Sequence, residues 1–110
     1  QANDTKRRSD VNALLNAIHQ YAADNKGVLP TGITTTAQNI GFTAANICSS
    51  ISPTYISALP VDPSSGGEAV TVCTAAYDTH YQVAIDANGR VTVSAPDTSD
   101  LLTTDISVMR

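Results

Sequence analysis

Tryptophan is absent from this chain of 110 residues, phenylalanine and methionine occur once each, and aromatic residues make up 5%. So few rings leave carbohydrate stacking without the side chains it usually needs. Charge is also sparse: Asp, Glu, Lys and Arg total 15%, against about 25% in ordinary soluble chains. Ser and Thr are abundant instead, a balance that suits an extracytoplasmic surface better than a cytosolic enzyme. The formal net charge of −4 argues against a general electrostatic grip on nucleic acid and leaves only a local basic patch at Lys6, Arg7 and Arg8. Such a cluster usually forms a solvated or partner-facing stripe on a helix. The residues contain no apolar run long enough to span a bilayer and no signal-peptide pattern. A start at Gln1 rather than Met predicts a processed or trimmed product.

Sulfur chemistry is confined to Met109 and two cysteines, Cys48 and Cys73. Neither cysteine has zinc spacing or a His or Cys beside it. In a small, Ser/Thr-rich domain the pair reads as a disulfide, with two buried free thiols as the alternative. A bridge would close a loop of about 25 residues and contribute about 3 kcal/mol in the chain-entropy view.

What is present has a clear order. From Asp4 to Asn25, Val11, Leu14, Leu15, Ile18, Tyr21 and Ala22 recur at the spacing of one helical face, while Asn12, Asn16, His19, Gln20 and Ala23 fall elsewhere. Lys6, Arg7 and Arg8 stand near the start, where the helix dipole disfavours cations, so the helix is expected to begin upstream, with Asp4 or Asp10 as a local cap otherwise. Asn25 and Gly27 can form a left-handed stop, Pro30 cannot continue the helix, and Val28 and Leu29 are expected to fold back as an apolar clasp. Residues 31–67 read as irregular, with "FTAANICSSIS" as a short helix capped by Thr43 that turns Phe42, Ile47 and Ile51 inward. The proline-rich stretch after it reads as an ordered loop pinned by Tyr55, Ile56, Leu59 and Val61.

Beyond Gly67 the period changes to two. "EAVTVC" reads as a short strand, and Tyr77, Tyr81, Val83 and Ile85 alternate with Asp78, His80, Gln82 and Ala84. Asn88 and Gly89 supply a hairpin turn, and Val91 and Val93 return on one face. The fold class expected is therefore α+β: one long N-terminal helix packed through Val11, Leu14, Leu15, Ile18 and Tyr21 on an antiparallel sheet of three to four strands. The chain divides into a helix over 1–27, a connecting loop over 28–67, the sheet over 68–95 and a tail over 96–110. Leu101, Leu102, Ile106 and Val108 can dock that tail as an extra edge strand.

Catalytic chemistry finds no convergent groups. His19 and His80 read as ordinary surface or boundary residues, and there is no nucleophile elbow, phosphate loop or metal-protease helix. "SSGG" over Ser64 to Gly67 lacks the strand-before, helix-after setting of a phosphate cradle. Asp97, Asp100 and Asp105 are weak calcium candidates whose spacing matches no defined loop, and a solvated tail is the better reading. The sequon "NDT" at Asn3 to Thr5 is short enough to arise by chance. No cofactor is expected.

The run "RRSDVNALLNAIHQYAADNKGVLP" resembles the second half of the N-terminal helix of type IV pilins and type II secretion pseudopilins. Asp10, Ala17, Ile18, Tyr21, Asp24, Asn25, Gly27 and Pro30 match that family's pattern; Lys26 is inserted between Asn and Gly, and Leu29 replaces a Tyr. "YISALPVDPSSG" resembles the segment that enters the sheet of these proteins. Together the two cover about a third of the chain, in the family's order. The resemblance implies a hydrophobic half-helix upstream of Gln1 that anchors the unassembled subunit in the membrane and engages the assembly machinery. It implies a structural filament subunit on an extracellular pilus, serving adhesion, surface motility or DNA uptake, with identical or related subunits as partners and a host surface or DNA as further ones. A type II secretion pseudopilin and a free-standing secreted binding domain are the alternatives. The isolated head is expected to be a monomer. The chain departs from the family in its cysteines, which join the helix-to-sheet loop to the first strand rather than bracketing the last strands, and the pseudopilin calcium loop is not matched.

Overall fold

A computed structural model describes residues 2–52, 54–62, 68–87, 90–94 and 106–108. Helix α1 spans Ala2–Asp24, followed by β1 (Gln38–Gly41), a one-turn helix α2 (Cys48–Ile51), β2 (Asp78–Ile85), β3 (Val91–Ser94) and β4 (Ile106–Val108). The four strands form one antiparallel sheet in the order β1-β2-β3-β4. The architecture is α+β, with the N-terminal helix laid against β3, β4 and α2.

Apolar spacing explains which way α1 faces. Val11, Leu14, Leu15 and Ile18 are buried and Tyr21 packs half-buried against the same core, which β1 supplies with Ile40, β2 with Tyr81 and Val83, and β3 with Val91 and Val93. Burying each large aliphatic side chain favours the folded state by about 1.5–3 kcal/mol. The buried face is wider than the apolar stripe, since His19 is also buried, at 8% exposure, which leaves of its two expected placements the boundary and not the open surface.

The helix stop explains the "DNKG" string. The Gly27 amide donates to the Ala22 carbonyl at 2.7 Å, and Lys26 and Gly27 have φ of 59° and 86°. The Gly27 bond is the six-to-one bond of a Schellman closure, and the residue just past the helix that takes the left-handed conformation there is Lys26, with Gly27 following it at positive φ. The Asn25 side chain also donates to the Tyr21 carbonyl at 2.8 Å. Leu29 packs on the core, but Val28 is 61% exposed, so only half of the expected clasp forms.

Three further expectations are corrected. The sheet is not confined to 68–95: it draws β1 from the supposedly irregular segment, while β4, at Ile106–Val108, is the edge strand that the tail was expected to supply. Residues 68–73 form no strand; Val70 makes a single bridge to Leu59, and Val72 is 56% exposed. The short helix starts at Cys48 rather than near Thr43, because residues 41–45 are spent closing β1: the Gly41 amide donates to Ala45 and the Ala45 amide to Asn39. Thr43 is therefore exposed and caps nothing, and Phe42 is turned outward at 38% exposure. The Asn88-Gly89 turn and the "SSGG" stretch lie outside the described residues, although Asp86 and Arg90 exchange hydrogen bonds across the former.

Candidate functional site

Two segments far apart in the chain run alongside each other. At the C-terminal end of α1 the Tyr55 hydroxyl donates to Asp24 Oδ2 at 2.6 Å, and its ring meets Tyr21 edge-on at 6.1 Å. That carboxylate, with burial second, pushes Tyr55 above the usual phenol range. Near the other end, Arg7 Nε donates to Asp62 Oδ2 at 2.8 Å and Arg7 Nη2 to Asp62 Oδ1 at 3.1 Å. Arg7 is 5% exposed and Asp62 not at all, so this is a buried, bidentate ion pair. Arg7 therefore does not belong to a solvated stripe. Lys6 reaches the Val61 carbonyl at 3.4 Å and Asp10 Oδ2 at 2.6 Å, and that same oxygen accepts the Tyr81 hydroxyl at 2.7 Å. Tyr81 is fully buried, and desolvation followed by the Asp10 carboxylate drives its ionisation far above the ordinary range.

The second feature is a bulge in β2. Between the Asn39–Gln82 and Gly41–Asp78 pairs, β1 advances two residues while β2 covers four, which leaves two extra residues on β2. His80 absorbs them with φ of 62°, a left-handed value uncommon outside glycine. Local bonds hold that backbone: Asp78 Oδ1 accepts the His80 amide at 2.9 Å, while the Thr79 hydroxyl accepts the Tyr81 amide and donates to the Ile40 carbonyl. Strain maintained by so many contacts often marks a site.

An open groove of about 400 Å³ lies beside the bulge. Val61, Val70, Val72 and Tyr77 line it with apolar surface, and Glu68, Asp78 and His80 supply its polar groups. Tyr77 is fixed by donating to Asn46 Oδ1 at 2.7 Å and accepting the Cys48 amide at 3.3 Å; burial raises its ionisation above the usual range and the Cys48 amide partly offsets that. Phe42 packs edge-on against it at 6.3 Å. Underneath, Cys48 and Cys73 are joined in a disulfide, so a segment with no strand of its own is tied to α2.

The calcium candidates Asp97, Asp100 and Asp105 lie outside the described residues, as do Leu101 and Leu102. Among the described residues no group of three or more His, Cys, Asp or Glu is placed to hold a metal ion. No helix among them is long and apolar enough to cross a membrane. The ion pair was detectable in principle: Arg7 stands four residues before Val11 on the buried stripe, and Asp62 sits in an otherwise apolar run. Nothing local announces the bulge, because His80 fits the alternation of β2 as an ordinary outward residue. Comparisons with protein-family models, curated proteins and solved structures find no match.

Proposed function

We propose that this chain is the head of a pilin-like filament subunit, a structural protein whose working residues are packing residues and not catalytic ones. The observation that carries the reading is the pairing of the two motif-bearing segments. "DNKGVLP" and "YISALPVDP" are about thirty residues apart, yet Tyr55 bonds Asp24 at one end and Asp62 clasps Arg7 towards the other. The co-occurrence of the two motifs thereby acquires a physical reason: the second segment is the brace that holds the first on the sheet. A helix so braced can carry load from an upstream extension into the head. In this reading the subunit is held in the membrane before assembly and displayed on an extracellular pilus afterwards, with copies of itself as partners.

Antiserum raised against this chain should label surface filaments of the source bacterium in electron micrographs, and a deletion strain should lose them. Loss of exoprotein export with no loss of filaments would instead assign the chain to a secretion pseudopilus. If neither filaments nor export changes, a free-standing binding domain replaces the proposal.

A further inference from the structure

We propose that the tip Lys26-Gly27-Val28 of one copy docks in the groove beside the β2 bulge of a second copy; the inference rests on the filament-subunit reading and names one of its contacts. The tip is built to protrude. Lys26 is held in the left-handed conformation just beyond the helix, no atom other than those of its chain neighbours lies within 4 Å of where a Cβ on Gly27 would sit, and Val28 leaves 61% of its surface in water. It therefore offers an ammonium group two residues from a bare isopropyl group.

The groove is the complement. Val70, Val72 and Tyr77 supply apolar wall, Glu68 and Asp78 supply carboxylates, and among the described residues its lining contains no Lys or Arg. Its volume of about 400 Å³ suits a pair of side chains and falls within the range of small-ligand sites, about 300–1,000 Å³. An anionic guest would meet like charge there, whereas a cation beside an aliphatic group satisfies both kinds of wall.

The two features are also separated within one molecule. Val61, on the groove wall, lies at the level of Lys6, while the tip follows Asp24. At 1.5 Å per residue the Val61 end of the groove and the tip differ by about 27 Å along α1, in a molecule 38 Å long. A chain thus does not fill its own groove, and copies joined tip to groove extend head to tail. Such a heterologous contact propagates as an open array wherever the rotation between successive copies does not close a ring. One contact of this size is well below the roughly 1,200 Å² that a stable pair needs, so the chain alone stays monomeric when dilute.

Two variants isolate the contact. Glu68→Lys spoils the groove and keeps the tip; Val28→Asp spoils the tip and keeps the groove. Both positions are exposed, and each variant's amide spectrum reports whether it folds. Nitrogen-15-labelled Val28→Asp chain is titrated with unlabelled Glu68→Lys chain to roughly 1 mM, where weak contacts are read. The expected result is saturable shifts at amides 70–78, reduced several-fold when salt is raised to about 0.5 M. Labelling the other partner should place them at 25–29. No shifts, or equal shifts when both partners carry Val28→Asp, overturns the docking. Filaments on cells with no such shifts would overturn the docking and leave the subunit reading standing; the shifts without filaments would do the reverse.

Discussion

Lys26 occupies the left-handed position that helix stops usually give to glycine, because one extra residue between Asn25 and Gly27 displaces the glycine by one place. A left-handed non-glycine residue costs about 1–2 kcal/mol, and the added freedom of glycine in the unfolded chain returns about 0.5–1 of that. Lys26→Gly should therefore stabilise the fold by about 0.5–1 kcal/mol, visible as a higher denaturant midpoint at unchanged slope. Arg7 and Asp62 present the opposite case. Removing one leaves the other charged and dry, so Arg7→Met should cost about 3–5 kcal/mol. Removing both with Arg7→Met and Asp62→Leu should leave the protein more stable than either single variant. Denaturation of all four proteins decides it, and a double variant as weak as the sum of the singles would mean that the two residues act independently. Tyr81 makes a statement about pH. Its folded-state ionisation is raised, so its contribution is complete below the ordinary phenol pKa of about 10 and is lost as pH climbs beyond that. Stability measured from pH 8 to 12 should fall at the alkaline end, and Tyr81→Phe should flatten the fall.

Among the elements, α1 is the one on which sheet packing most depends. Leu15 is 1% exposed and Asn16, one position round the helix, is exposed. Leu15→Asp forces a charge into apolar contact at a cost of several kcal/mol and should unfold the head, whereas Asn16→Asp should melt like the parent. Equal melting temperatures for the two would show that the stripe does not bear on the sheet. The helix was legible because six apolar residues repeat the period of one face and a proline follows the stop. Strands β2 and β3 were legible because their inward residues alternate without interruption. Strand β1 was not: of its four residues only Ile40 brings a large apolar side chain to the core, and its pairing depends on partners more than thirty-five residues away. Residues 68–73 err in the other direction. Val70 and Val72 imitate a strand, but the disulfide and the bridge to Leu59 hold this stretch where no second strand runs. The groove was invisible for the same reason, since its walls come from segments whose local patterns say nothing of one another.

Across the whole molecule, regular structure is concentrated in α1 and the sheet, and the remainder is held by long-range ties. Arg7 to Asp62 fastens one end of the brace and Tyr55 to Asp24 the other. The groove wall has the disulfide, the Tyr77 bonds and one bridge. The disulfide joins residues 25 apart in sequence, so opening it returns about 3 kcal/mol of chain entropy to the unfolded state. For a domain of this size that is a melting temperature lower by roughly 10–20 °C. The loss should not be spread evenly. Residues 70–77 have no sheet to fall back on, whereas the buried face of α1 and the β2–β3 pairing do not involve the sulfurs. Mild reduction followed by alkylation should leave a folded protein in which the amides of 70–77 exchange with solvent first, while those of β2 and β3 keep most of their protection. Melting unchanged by reduction would mean that Tyr77 and the Leu59 bridge suffice to hold the groove wall. Simultaneous loss of protection in 70–77 and β3 would mean that the groove wall is part of the core and not an appendage tied to it.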